Sequence, residues 1–303
     1  MVFKPKFLDY IMKKRVYFMI DEALSTRNKI VNGWKSPTNL YGAIELEKGR
    51  KAKIINANLK EIFKIRRGSV VVVNRLKYVP LLKLTEKKVV LINMNSNHDL
   101  TIKTNKIKEH FVYLLNKLLY RLCDLIVCLS KFQEPTLRKI KVKKVVSISL
   151  GVDENITNSL KKSRKYYLCI GKDKGRDIEF VSRAMKDFPH RVIDGNDLTY
   201  LGYLSLIANC KALVLNIDTN RKGSSDLSGT TTCFEALSLE KPILINYQPW
   251  LKELFKDNYY VYGNEEELKG LLKQNIKFKK SKNNDHLKLR TFSNLLLKNI
   301  ENI

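Results

Sequence analysis

The chain has 303 residues, 44% of them hydrophobic, which excludes a disordered or fibrous protein. It carries 57 lysines and arginines against 30 aspartates and glutamates, and its net charge of +27 predicts an anionic partner such as a phospholipid surface, a phosphorylated small molecule or nucleic acid. A compositional drift toward Lys, Ile and Asn is an alternative explanation for part of this charge.

The five cysteines predict a reducing compartment. They are odd in number, lie in apolar segments and lack metal-ligand spacing, so we expect buried small hydrophobes in a cytoplasmic protein: Cys123, Cys128, Cys169, Cys210 and Cys233. The first residues lack the features of a secretory signal, and no apolar run approaches the ~20 residues of a membrane helix.

Short apolar runs alternate with helical patterns in the first half of the chain. The predicted strands are VYFMID (16–21), KAKIINA (51–57), SVVVVN (69–74), KVVLINM (88–94), DLIVCLS (124–130) and KVVSISL (144–150). Helices are predicted over 39–50 and 105–122. Strands that are apolar on both faces indicate a parallel sheet covered by helices on each side.

The alternation restarts after a polar stretch at 151–165 that is typical of a linker. The predicted strands are YYLCIG (166–171), HRVID (190–194), ALVLNID (212–218) and PILIN (242–246), with a helix over 230–239 and two helices at the end. The fold class is therefore α/β, with two Rossmann-like, doubly wound domains that face a cleft. In such sheets ligands bind beyond the carboxyl ends of the strands.

The segment SSDLSGTTTCFEALSLEKPILIN (224–246) predicts an anion site. The N–H groups of Gly229, Thr230 and Thr231 lie at a helix amino end, and the hydroxyls of Thr230, Thr231 and Ser228 can add donors. Glu235 lies one turn further on the same face, where a carboxylate can accept both hydroxyls of a ribose. The alternative is a capped helix whose Glu235 pairs with a nearby lysine or arginine.

Two other strand ends carry candidate residues. In CIGKDKGRDIEF (169–180), Gly171 ends a strand and Lys172 and Arg176 flank the predicted cleft, where they suit a diphosphate. The alternative is a solvated turn. In LINMNSNHDL (91–100), His98 follows a strand and is predicted to face the cleft, although a single histidine is more often structural.

At this point the sequence resembles glycosyltransferase family 4 and its relatives with the GT-B fold. SGTTTCFEALSLEKPILIN, preceded by CKALVLNID, resembles the nucleotide-sugar site of that family. DLIVCLSKF with VVSISLGVD resembles the step into its linker, and CIGKDKGRDIEF resembles its glycine-rich loop. The resemblance implies an acceptor-binding domain at 1–150, a nucleotide-sugar-binding domain at 151–280, and a helix at 281–303 that crosses back to the first.

The resemblance also implies an activity and residue roles. The activity is metal-independent, retaining transfer of a sugar from a UDP-, GDP- or ADP-linked donor to an acceptor hydroxyl, with no cofactor. Gly229 and Thr230 would lie at the diphosphate, Glu235 at the ribose, Lys172 and Arg176 at the leaving group, and His98 at the transferred sugar or acceptor. The family's first acidic residue, eight positions before the helix glutamate, is replaced here by Leu227, with Asp226 beside it as a donor-site candidate.

Basic amphipathic segments at 1–15 and 105–122 predict contact with an anionic membrane and a lipid-linked acceptor for glycan synthesis. The alternative is a solvated basic face. A nucleic-acid-binding or nucleic-acid-modifying protein is a competing class, but we do not expect it because no helix-turn-helix, zinc finger or RNA-binding signature is present. A third class is an inactive relative that binds a nucleotide sugar without transfer.

Overall fold

The computed structural model describes residues 15–101, 107–171, 175–194, 197–218, 226–255, 257–274, 276–279 and 288–303. Within them the strands form two separate, fully parallel sheets. The first sheet has the order β2-β1-β3-β4-β5-β6 and contains β1 (Val16–Ile20), β2 (Lys53–Asn56), β3 (Val70–Val73), β4 (Lys88–Asn93), β5 (Leu125–Cys128) and β6 (Val145–Ser147). The second has the order β11-β10-β9-β7-β8 and contains β7 (Tyr166–Gly171), β8 (His190–Asp194), β9 (Cys210–Leu215), β10 (Ile243–Asn246) and β11 (Tyr259–Tyr262).

Helices cover both faces of each sheet. Those of the first half are α1 (Ala23–Val31), α2 (Ala43–Lys48), α3 (Leu59–Lys64), α4 (Val79–Leu84), α5 (Ser96–Asp99), α6 (Ile107–Leu122) and α7 (Glu134–Lys139). Those of the second half are α8 (Glu154–Asn158), α9 (Ile178–Met185), α10 (Tyr200–Asn209), α11 (Thr230–Ser238), α12 (Leu251–Phe255), α13 (Glu265–Lys273) and α14 (Leu289–Glu301).

The all-apolar strands explain the parallel sheets. All four valines of β3 are buried, and alternate ones belong to different hydrophobic clusters on the two faces of the sheet. One continuous cluster contains residues of both sheets together with α14, so the two halves share part of their core. The predicted α/β class with two doubly wound sheets is confirmed. The five cysteines are buried, as predicted.

The last helix packs on the first half of the chain. The Ser293 hydroxyl donates to the carbonyl of Gly42 in the first half, 3.3 Å away. Leu289 N–H donates to Val152 O at 2.9 Å, which ties the start of the helix to the segment that follows the first sheet. The two sheets fall on either side of residue 150, but the domain limits stay a prediction, because the predicted third segment begins at 281, outside the described residues.

The single helix predicted over 39–50 is wrong. Residues Pro37–Leu40 form a 3-10 turn, and Tyr41 and Gly42 adopt positive φ angles of 50° and 69° before α2 begins. A side chain at Gly42 would collide with the Ser293 hydroxyl of α14. The break therefore follows from a contact 251 residues away along the chain, which local periodicity does not reveal.

Candidate functional site

A cavity of about 350 Å³ lies between the two halves of the chain. The second half contributes residues of α10, α11 and the loops before them, and the first half contributes the segment after α1 and the end of β4. The lining residues are Trp34, Lys35, Ser36, Asn39, Met94, Arg176, Leu198, Tyr200, Tyr203, Leu227, Ser228, Gly229, Thr231, Thr232 and Glu235. Lining residues follow the carboxyl ends of β4, β7 and β9, which is where parallel sheets bind ligands.

The amino end of α11 forms one wall. Gly229 precedes the helix with φ of +83°, and a Cβ there would collide with Cδ1 of Ile217. Only glycine fits without strain, because both the angle and the space exclude a side chain. The first turn of a helix leaves N–H groups without helical partners, so this end favours an anion. Thr230 is buried, and its hydroxyl donates to Leu227 O at 2.9 Å.

Glu235 is a buried carboxylate that lines the cavity. Its side chain is 2% exposed, and burial raises its pKa to about 7. The hydroxyls of Tyr203 and Tyr200 and the charge of Arg176 act in the opposite direction and limit this increase. Near neutral pH the carboxyl group is therefore poised between its neutral and charged forms. Such a group in a cleft is typical of a functional site.

Arg176 places a buried positive charge beside Glu235. The residue is 6% exposed, and its Nη2 donates to the hydroxyl of Thr232 at 2.7 Å. The Tyr203 hydroxyl lies 2.8 Å from the same Thr232 oxygen. The backbone of Arg176 pairs with Ile217 in an isolated bridge, which fixes the loop after β7 against the segment after β9. A cation held in this way can neutralise an anionic ligand at little further ordering cost.

The first half of the chain supplies the opposite wall. Trp34 is 56% exposed although it is large and apolar, and it lies next to Lys35 and Ser36 on the loop after α1. The backbone N–H of Tyr200 donates to Gly33 O at 2.9 Å and joins this loop to α10. An exposed tryptophan at a cleft suits contact with a ligand better than a structural role.

The sequence-predicted residues divide into three groups. Arg176, Ser228, Gly229, Thr231 and Glu235 all line the cavity. Thr230 lies beneath it with its hydroxyl bonded to the backbone, and Gly171 ends β7. Lys172 lies outside the described residues, and His98 belongs to α5 but its side chain is not described. The predicted roles of all these residues stay predictions.

Asp226 makes a contact that the sequence did not predict. Its Oδ2 accepts a hydrogen bond from the N–H of Asn97 at 2.7 Å and one from Nε2 of Gln133 at 3.4 Å. Both donors belong to the first half of the chain. Asp226 is not among the residues that line the cavity, whereas its neighbour Leu227 is. The carboxylate therefore joins the two halves in this structure.

Sequence reasoning gave no role to Tyr200, Tyr203 or Trp34. The two tyrosines lie three residues apart in α10, and burial of both hydroxyls beside Glu235 raises their pKa well above the usual value. Two tyrosines at helical spacing were the available signal, but such pairs usually belong to the core. No group of three or more His, Cys, Asp or Glu in the described part of the chain is placed to hold a metal ion.

Solved structures of glycosyltransferases resemble the chain over almost its whole length. The match to Anabaena HepE, which was solved with UDP and glucose, has a TM-score of 0.61 at 11% identity. It covers 96% of this chain and 100% of the HepE chain. The match to sucrose-phosphate synthase from Thermosynechococcus elongatus has a TM-score of 0.60 at 9% identity, and it covers 86% of this chain and 88% of the synthase chain. The match to AviGT4, a glycosyltransferase involved in avilamycin A biosynthesis, has a TM-score of 0.55 at 11% identity, and it covers 95% of this chain and 96% of the AviGT4 chain.

The chain has the GT-B fold. No family model matches the chain, and a search of curated protein sequences gives no match either. At these identities the GT-B likeness shows the architecture, so the activity has to be argued from the cavity itself.

Proposed function

We propose that the protein is a retaining glycosyltransferase that moves a sugar from a nucleotide-diphosphate donor to an acceptor hydroxyl. The observation that supports this most is the buried Glu235 beside the buried Arg176, in a cavity at the amino end of α11. A nucleotide sugar offers the matching groups, since its ribose hydroxyls can donate to a carboxylate and its diphosphate needs cations and N–H donors.

The residues would have separate roles in the reaction. Ser228 and the backbone of Gly229 would hold the diphosphate, and Arg176 with Lys172 would neutralise it as it leaves, without a metal ion. The bond between the anomeric carbon and the diphosphate oxygen breaks, and the acceptor oxygen bonds to the same face. The acceptor proton passes to the departing diphosphate. His98 would contact the sugar or the acceptor.

A thermal-shift screen of UDP-, GDP- and ADP-sugars tests the donor site. One donor should raise the melting temperature of the wild type by several degrees at saturation, because it binds only the folded state. Glu235→Ala should lose that shift, whereas Glu266→Ala should keep it, because Glu266 is an exposed carboxylate on α13. The absence of any donor shift, combined with salt-sensitive DNA binding, would contradict the proposal and favour the nucleic-acid class.

A second candidate is a nucleotide-sugar-binding protein without transferase activity. Leu227 favours it, because this apolar side chain lines the cavity at the position where the resembled family carries its first acidic residue. The two candidates predict the same thermal shift but differ in turnover. Release of nucleoside diphosphate in the presence of acceptor would support transfer, and donor binding without any release would support the second candidate.

We further infer that the acceptor is presented at an anionic membrane surface. The apolar face of α6 is exposed and carries Ile107, Phe111, Val112, Leu114, Leu115 and Leu118, and the same helix bears Lys108, Lys117 and Arg121. Exposed apolar side chains flanked by cations suit the boundary between headgroups and acyl chains. The basic segment 1–14 lies outside the described residues. No helix in the described ranges has the length and apolarity to cross a bilayer.

A further inference from the structure

A second cavity, of about 190 Å³, lies at the amino ends of the strands of the second sheet. The cavity between the two halves lies at the opposite, carboxyl ends of these strands. The second cavity is formed where β7, β9 and β10 begin: by the segment before β7, the first residues of β9, the turn between α11 and β10, and Phe278. We call it the basic pocket, because its lining includes Lys162, Arg164, Lys211 and Lys241.

Positive charges are crowded in the basic pocket. Lys241 is only 4% exposed, and burial lowers its pKa, with Arg164 and Lys162 lowering it further. Cys210 and Glu240 oppose this decrease in the Lys241 pKa, but the Glu240 carboxylate also pairs with Lys162 at 3.4 Å. Among the described residues that line the pocket, four cations thus share one carboxylate. Like charges held together in a partly buried space repel one another, and an added anion would relieve this repulsion.

The walls of the basic pocket are fixed by hydrogen bonds. The N–H of Ser163 donates to Ala208 O at 2.9 Å, and its hydroxyl donates to Oδ1 of Asn209 at 2.6 Å. The ammonium of Lys241 and the guanidinium of Arg164 donate to the carbonyls of Ser163 and Ile276. The pocket is therefore formed without a ligand, so that binding costs little ordering of the chain.

We propose that the basic pocket binds a small, soluble, phosphate-bearing anion. An arginine provides a planar fork for two phosphate oxygens, and lysines add point charges from other directions, which is the combination that phosphate sites use. This site does not depend on the proposed transferase activity. It lies at the amino ends of the strands, whereas the proposed donor site lies at their carboxyl ends.

Titration with inorganic phosphate and with pyrophosphate, at constant ionic strength and with chloride as reference, tests the proposal. The wild type should bind one anion in the basic pocket, and Arg164→Gln combined with Lys211→Gln should weaken that binding by about tenfold or more, as expected for lost charge-assisted hydrogen bonds. Lys161→Gln should keep the affinity, because it removes the same charge from the same segment outside the pocket lining.

Two further variants make the outcome specific. Arg176→Gln should leave phosphate binding in the basic pocket intact. Lys241→Met should melt at a higher temperature than the wild type without ligand, because a buried charge is removed, and it should lose the stabilisation by phosphate. Equal phosphate binding in the wild type and the Arg164/Lys211 variant would overturn the proposal. So would loss of binding in Arg176→Gln alone, or capture by phosphatidate vesicles without any response to phosphate or pyrophosphate.

Discussion

At the scale of single residues, Glu235 links stability to pH. Its pKa of about 7 in the folded protein lies above the ordinary 4.5, so the folded state holds the proton more tightly than the unfolded chain. This contribution to stability is complete below pH 4.5 and is lost as the pH rises through 7. At about 1.4 kcal/mol for each pKa unit, the loss is on the order of 3 kcal/mol.

Glu235→Gln should therefore gain stability relative to the wild type as the pH rises. The amide cannot ionise, so the variant avoids the cost of a buried charge at pH 8 but differs little at pH 4.5. Denaturant unfolding at several pH values measures this difference. Glu266→Gln, at an exposed site, should follow the wild-type profile. A constant difference between Glu235→Gln and wild type across this range would show that Glu235 titrates normally.

Gly229 is a second residue whose replacement has a defined cost. Gly229→Ala should destabilise the protein by about 1–3 kcal/mol, because the new Cβ meets Ile217 and φ of +83° strains any other residue. Denaturant unfolding measures the loss. Adding Ile217→Val removes the Cδ1 atom that collides and should recover part of the stability. Gly33→Ala is the control for strain alone, since its φ is +74° and its Cβ would meet nothing within 4 Å.

The sequence predicted which residues lie at the site more completely than it predicted the contacts that these residues make. Gly229, Ser228 and Glu235 were predictable because a small-residue turn, a helix amino end and a carboxylate one turn later lie close together along the chain. The contacts of Asp226 were not predictable, since they join it to Asn97 and Gln133, 129 and 93 residues away. Tyr200 and Tyr203 were overlooked because their spacing also fits an ordinary core helix.

At the scale of elements, α6 has the most unusual surface. Its sequence predicted an apolar helical face, but periodicity does not show whether such a face is buried. The structure buries Leu119 and Tyr120, of which Tyr120 packs into the cluster on one face of the first sheet, and leaves Phe111 67% exposed. The first ten strands and α11 were predictable from the alternation of apolar runs, whereas α1 and β11 were not predicted.

Phe111→Ser combined with Leu115→Ser should reduce binding to vesicles that contain phosphatidylglycerol. Removing two exposed apolar side chains takes away area that would enter the headgroup boundary, and we expect a loss of affinity of tenfold or more. Co-sedimentation measures it. The melting temperature should change little, because both side chains are exposed.

The matched control for α6 is Leu24→Ser combined with Val31→Ser. These exposed side chains belong to α1, whose buried residue Ala23 packs into the cluster on the other face of the first sheet. The control should bind vesicles like the wild type. An equal loss of vesicle binding in both double variants would indicate that any exposed apolar side chain of the protein supports binding. No loss in the α6 variant would contradict the membrane-docking role of this helix.

At the scale of the whole molecule, two carboxylates of the second half hold the halves together. Glu253 accepts hydrogen bonds from the hydroxyl of Ser130 at 2.6 Å and from the N–H of Lys131 at 2.7 Å, and Asp226 accepts from Asn97. Hydrogen bonds to charged groups contribute about 1.5–3 kcal/mol each, enough to bias an equilibrium between open and closed forms. In this structure these bonds join the two halves on either side of the cavity.

Glu253→Ala should shift the protein toward an open form. Both hydrogen bonds to the first half are lost, so the radius of gyration from small-angle scattering should increase, and donor affinity should fall several-fold because the closed fraction decreases. Glu253 does not line the cavity, so we expect a weaker affinity to act through closure, and the scattering measurement tests this. Glu266→Ala, which changes the same charge on the same half, should match the wild type in both measurements. If scattering is unchanged while donor affinity falls, the carboxylate acts on the ligand and not on the arrangement of the halves.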